Sequence, residues 1–300
     1  MPMRRTIPAP QPLSDAEASQ LTPVQLAAAY GLARMGTRPH LGKYLVDTVR
    51  RSDFIMTMAA YRLRAMMAEN RLGIVWYIVQ PLLDAAIYGF IFGIVQGASR
   101  PPDFTAYVLS GTIMFRYFST SLLSGTRCMV GSRALIQSLA FPRLTIVLSN
   151  LFQNFLAFLP PLAILPLVLT ALGHEANRTW LLMFPLIALY LVFCAGVSLI
   201  AARITVHLRD FGTLAPAISR ILYFSSGVLF NVSAVLKDHP LLTKVFDFHP
   251  LYIMIRITRS ILMDLPCPIY YWDHLAVWAF ATAIVGLVFF WFAEERYGRE

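Results

Sequence analysis

Charge is what this sequence has least of. Asp, Glu, Lys and Arg make up only 14% of its 300 residues, against roughly 25% in ordinary soluble domains. Carboxylates are the scarcer sign, 16 against 25 basic residues, and they form no repeated acidic motif. That argues against metal-dependent glycosyl transfer, which works through clustered carboxylates. The three cysteines, Cys128, Cys194 and Cys267, are too scattered for a disulfide framework or a metal site. The histidines also stand singly, without an HExxH pattern, and read as solvated loop positions. A nucleotide loop is missing too. GTRPHLGKY at Gly36–Tyr44 places five residues between Gly36 and Gly42, where a P-loop has four. Tyr44 also stands where a Ser/Thr hydroxyl would hold Mg²⁺. No apolar core of a cleavable signal peptide occurs in the first seventy residues, so the first span is expected to serve as an uncleaved signal.

Long apolar runs are abundant. No charged residue occurs between Leu144 and Gly173, between Thr179 and Ala202, or between Leu275 and Ala293. Crossing a bilayer takes about 20 mostly apolar residues at roughly 1.5 Å each. A soluble core helix would also show a polar stripe, and these windows have none. The expectation is an all-α polytopic membrane protein with six transmembrane helices, near Leu72–Gln96, Phe104–Gly125, Thr145–Leu172, Thr179–Ala202, Gly212–Asn231 and His274–Phe292. Pro160, Pro161 and Pro166 should kink or break the third.

With the N-terminus inside, Lys and Arg number 17 on the cytoplasmic side and 6 outside, with Arg116 and Arg220 within spans. Both termini are thus expected in the cytoplasm. The net charge of +9 then follows from topology and anionic lipid, and needs no nucleic acid.

Residues 1–46 read as a disordered cytoplasmic tail, 47–71 as an amphipathic interfacial helix, 72–293 as the six-span transmembrane domain and 294–300 as a second tail. On the amphipathic helix Phe54, Met58, Tyr61 and Ala65 share a face, fit for headgroups or a partner protein. The external segment 232–273 holds Leu251–Met263, apolar but too short to span, which reads as a re-entrant or interfacial helix over the outer end of the bundle.

Two polar stripes interrupt the apolar helices. Tyr77, Gln80, Asp84 and Tyr88 share one face of the first span, and Arg220, Tyr223, Gly227 and Asn231 one face of the fifth. Such groups line a hydrated path or pair internally, and Asp84 has Arg220 and Arg116 as candidate partners. Asn150, Gln153 and Asn154 in the third span read as interhelical hydrogen-bonding groups.

These residues resemble the type-2 ABC export permeases of the polysaccharide and O-antigen group, the Wzm-like and teichoic-acid-exporter-like membrane subunits. The resemblance runs from about Asp53 to Glu294. Leu72, Gly73, Trp76, Pro81, Tyr88, Phe92 and Gly93 carry it in the first span. ALIQSLAFPR at Ala134–Arg143, then Arg209-Asp210-Phe211, then His249-Pro250 with Arg256, carry it further. His249 stands where relatives often have Asn, and Glu69-Asn70-Arg71 departs from a common Tyr…Ser pattern.

The resemblance implies a homodimer in the bacterial inner membrane with two copies of a separate ABC ATPase. ATP and Mg²⁺ would sit on that partner, leaving this chain without a cofactor and without catalysis. The loop 126–143 would present Leu135, Ile136 and Leu139 to the ATPase, with Arg209 and Asp210 as a lesser contact. The cargo would be a polyprenyl-pyrophosphate-linked polysaccharide. Arg62, Arg64 and Arg71 would receive its pyrophosphate or simply anchor the chain to anionic membrane lipids. Gln80 and Asp84 would line the channel with Arg220, and Tyr77, Tyr88, Tyr223, Phe224 and Phe230 would offer faces to sugar rings or merely pack. His249, Pro250, Arg256 and Arg259 would belong to an external gate. A multidrug-type ABC permease is the alternative, and a membrane-embedded lipid-glycan transferase the enzymatic rival.

Overall fold

The computed structural model describes Thr22 and residues 40–68, 71–73, 75–96, 103–138, 141–235 and 239–294. All regular structure among them is helical: α1 Leu41–Val49, α2 Ser52–Ala68, α3 Val75–Gln96, α4 Phe104–Cys128, α5 Arg133–Ser138, α6 Leu144–Ala171, α7 Met183–His207, α8 Phe211–Ser225, α9 Val232–Val235, α10 Pro240–Asp247, α11 Pro250–Met263 and α12 Tyr270–Trp291. Short 3₁₀ turns at Val130–Ser132 and Arg178–Leu182 lead into α5 and α7.

Three described stretches, Leu144–Ala171, Arg178–His207 and Tyr270–Trp291, are long and apolar enough to cross a membrane. They coincide with the three charge-free windows. α4 is the central helix, buried along most of its length and packed against α3, α6, α7, α8 and α11. Its small residues let neighbours approach. A Cβ on Gly125 would lie 2.7 Å from Ser198 Oγ. α7 and α12 touch backbone to backbone, since a Cβ on Gly196 would come within 2.3 Å of the Thr282 carbonyl carbon. Gly286 closes the same contact, its Cβ position lying 2.5 Å from Gly196 O. Water expulsion gives little drive between helices in lipid, so close packing and interhelical hydrogen bonds supply it. Here the bonds are Tyr190 Oη to Met114 O at 2.8 Å and Asn154 Nδ2 to Ser124 Oγ at 2.6 Å.

Several expectations are corrected. Residues 41–46, expected in a disordered tail, are helical, because Tyr44 is fully buried. The amphipathic stretch after Asp47 is interrupted by a turn at Arg50–Arg51. Its inner face also differs. Phe54 and Met58 of the expected face are half-buried, with Phe54 against Phe141, but Tyr61 and Ala65 are exposed, and Ala59 is buried with Ile55, Arg62 and Leu63 half-buried. α2 packs on α6 of its own chain, which turns the inward face away from Tyr61 and Ala65.

The prolines do not break α6, which runs unbroken from Leu144 to Ala171. Packing holds it through the proline region: Pro161 is buried, and Phe158 stacks on Tyr117 with ring centroids 4.8 Å apart.

The fifth expected span is cut short instead. α8 ends at Ser225 after 15 residues, about 22 Å of helix by the usual rise. The chain turns at Gly227 (φ 70°), and Val228 and Leu229 continue it fully buried without a helix. α11 encloses this break. It is buried from Leu251 to Ile255 and again over most of Ile257–Met263, so it packs within the protein.

Candidate transport path and coupling surface

The first-span stripe converges on Arg116 of α4. Arg116 Nη1 lies 3.5 Å from Asp84 Oδ2, and its Nη2 donates to Gln80 Oε1. Both charged side chains keep partial exposure, 30% and 41%. Asp84 thus takes Arg116, not Arg220, as its partner. Tyr77, Gln80 and Arg116 line a cavity of ≈ 320 Å³ with Trp76, Tyr117 and Asn154. A guanidinium, two amides and aromatic rings around one hollow in an apolar bundle make a surface suited to hydroxyl-rich or phosphate-bearing groups.

Toward the other end of α3 the stripe turns aromatic. The Tyr88 and Tyr223 rings sit 5.5 Å apart, and Phe224 stands edge-on to Tyr223 at 5.6 Å. Tyr223 shares a hydrogen bond with Thr112 at 3.2 Å. Arg220 is exposed on the same helix. Phe230 is half-buried, and its carbonyl accepts from Tyr107 Oη at 3.1 Å.

Of the expected gate residues, His249, Arg256 and Arg259 bond to backbone groups. Arg259 is completely buried and donates to Gly227 O at 2.9 Å, Tyr107 O at 3.0 Å and Val228 O at 2.8 Å, with its guanidinium carbon 3.3 Å from the Tyr107 ring centroid. It satisfies the carbonyls released where α8 breaks off. Broken backbone at membrane depth persists only where protein supplies such partners. Arg256 donates to Pro266 O at 3.0 Å. His249 was expected as a solvated loop residue, but it caps α11, its Nδ1 accepting from Tyr252 N at 3.3 Å just ahead of Pro250 at the first turn. Burial holds the His249 imidazole below its ordinary pKa. His274 likewise departs from a solvated loop role, stacking on Phe248 at 5.3 Å.

Within the stretch 126–143 the chain forms the 3₁₀ turn and α5. Leu135 and Ile136 are half-buried there, while Leu139 lies outside the described residues. Ile136 and Val130 line a cleft of ≈ 670 Å³ whose opposite wall is Thr205, Val206 and Arg209, so the two loops singled out by sequence meet. Asp210 is exposed beside them. Arg62 reaches the same place, its Nη2 donating to Ser132 Oγ at 2.9 Å. Burial lowers the Arg62 pKa. Arg64 and Arg71 are exposed.

Sequence reasoning missed one site. Glu294, placed in the tail, is buried, and burial raises its carboxyl pKa. Its Oε2 accepts from Tyr44 Oη at 2.7 Å and its Oε1 from Arg143 N at 3.1 Å. Arg143 Nη1 lies 3.6 Å from the carboxylate and also donates to the Glu294 carbonyl. Only the motif around Arg143 hinted at this. Among the described residues, no three His, Cys, Asp or Glu side chains are grouped to hold a metal ion.

Residues 54–263 match the model of the ABC-2 type transporter family. The chain belongs to that family. Its fold is therefore that of an ABC transporter's membrane permease. Among curated relatives, an O-antigen export system permease protein RfbA of Klebsiella pneumoniae is 25% identical over 239 residues, 79% of this chain and 91% of that protein. RfbA of Myxococcus xanthus is 23% identical, over 70% of this chain and 80% of the relative. The polysialic acid transport protein KpsM of Escherichia coli is 21% identical, over 78% and 90%. The resemblance on FPR, Arg-Asp-Phe and His-Pro is thus matched by family membership across most of the chain.

Proposed function

We propose that this chain is the membrane subunit of an ATP-driven polysaccharide exporter of the bacterial inner membrane. The cavity lined by Arg116, Gln80 and Tyr77, with Asp84 paired to Arg116 beside it, carries the reading, because it places charge and polar groups inside an otherwise apolar bundle. Relatives named for O-antigen export and polysialic acid transport support the cargo class. Two copies of the chain, each with six spans and both termini in the cytoplasm, would enclose the passage. α4 and α8, less apolar than the three long spans, supply protein-facing rather than lipid-facing walls. Hydrolysis comes from two ATPase subunits docked beneath the cleft between the 126–143 and 203–211 loops. The half-buried Leu135 and Ile136 beside that cleft fit the helix-in-groove mode of contact.

The cargo is a glycan carried on polyprenyl pyrophosphate. Sugar faces slide over Tyr88, Tyr223 and Phe224, while Arg64 and Arg71 meet phosphate at the membrane surface. The test is ATP hydrolysis by the chain reconstituted with its ATPase in lipid vesicles. Stimulation by an undecaprenyl-pyrophosphate-linked oligosaccharide, and not by hydrophobic cations, is the expected result. Stimulation by the cations alone identifies a multidrug-type permease. Glycan transfer by the chain without ATPase identifies a transferase.

A further inference from the structure

The coupling segment is tied down at both of its ends by side chains from elsewhere in the chain. Near its start, Ser132 receives Arg62 of α2 at 2.9 Å. Just past its end, Arg143 meets Glu294, which follows α12. The second tie is the stronger. One carboxylate, 6% exposed, takes a hydroxyl, a backbone amide and a guanidinium, and Tyr44 Oη in turn accepts from Leu144 N at 3.1 Å. It joins α1, the first turn of α6 and the end of α12, segments 100 to 250 residues apart. Buried networks with their members paired rigidify what they hold. Among the described residues, Arg62 makes one such bond, to the Ser132 hydroxyl, from a helix that leads toward the turn 71–73 and the stripe on α3.

We propose that Tyr44, Arg143 and Glu294 are positioning residues for transport: they hold the far end of the coupling segment still, so that displacement by the ATPase passes through Ser132 and Arg62 into α2. The inference rests on the reading of residues 130–138 as the ATPase contact. It gives the N-terminal helix and the end of α12 a mechanical role that no contact with cargo requires.

Paired nitroxides in the complete permease–ATPase complex test it, with Cys128, Cys194 and Cys267 replaced by alanine. One pair, at the exposed positions Val49 and Phe292, reports on the tied corner; the other, at exposed Tyr61 and Phe292, reports on α2 against it. Trapping with ATP and vanadate is expected to shift the Tyr61–Phe292 distance and leave Val49–Phe292 unchanged. In Glu294→Ala, and in the milder Tyr44→Phe, the narrow Val49–Phe292 distribution is lost and the Tyr61–Phe292 shift shrinks, with ATP hydrolysis at the wild-type rate. A contact that merely stabilises the fold lowers the melting temperature but leaves both nucleotide-dependent distances as in wild type, and that result overturns the proposal. If nucleotide moves neither pair in wild type and Leu135→Asp changes nothing, the coupling reading itself fails.

Discussion

Arg259 offers the sharpest test of how the short α8 is tolerated. Replacing it with Met keeps the volume and removes the three donors that meet Gly227 O, Tyr107 O and Val228 O. A hydrogen bond from a charged donor is worth about 1.5–3 kcal/mol, so three amount to a gross loss of several kcal/mol. Relief from burying the guanidinium works the other way and is also several kcal/mol. If Arg259 were only a buried charge, Met would be neutral or stabilising. The carbonyls decide the sign: Gly227 and Val228 sit where α8 has ended, with no helical donor to replace the lost ones. Each buried carbonyl left without a donor costs about 1–3 kcal/mol, so a net destabilisation of a few kcal/mol follows. Thermal melting of the protein in lipid nanodiscs measures it. Gly111→Ala strikes the same group independently, because its Cβ would lie 2.8 Å from Arg259 Nη2. Both variants should melt well below wild type; an Arg259→Met protein as stable as wild type refutes the reasoning.

Gly196→Ala and Gly286→Ala force the α7 and α12 backbones apart, and overpacking of this kind costs about 1–3 kcal/mol each, or more where backbone must move, read as lowered melting. His249 has a folded-state pKa below its ordinary value of 6.5, so the unfolded chain binds its proton more readily. The capping contribution is therefore complete above that value and lost as pH falls through it toward the lowered one. His249→Asn keeps a good capping side chain, so melting between pH 7.5 and 5 should depend on pH less than in wild type. Leu135→Asp or Ile136→Asp is expected to leave membrane insertion intact while hydrolysis no longer drives export; unchanged export in vesicles removes that assignment.

Composition made the three long spans legible, because a window without charge is a local property and needs no knowledge of its neighbours. The stripe on α3 was legible for a similar reason, since helical spacing puts Tyr77, Gln80, Asp84 and Tyr88 on one side whatever packs there. Its partner was not. Choosing Arg116 over Arg220 requires knowing that α4 lies along α3, which no local period contains. The break after Ser225 was hidden because Val228 and Leu229 are as apolar as a continuing helix, and the residue that permits the break lies more than thirty positions on. Glu294 and Tyr44 were missed for the same reason. A carboxylate near a chain end reads as solvated until the groups that bury it are known. The buried face of α2 shows the opposite error, in which apolar character named Tyr61 while packing chose Ala59 and Arg62.

Vesicles holding the permease with its ATPase, loaded outside with an undecaprenyl-pyrophosphate-linked oligosaccharide, provide the most direct measurement: how much glycan becomes protected in the lumen when ATP is supplied. Accumulation only when both proteins and hydrolysable ATP are present is the predicted result. Accumulation by the permease alone, or with an ATPase unable to hydrolyse ATP, contradicts the account.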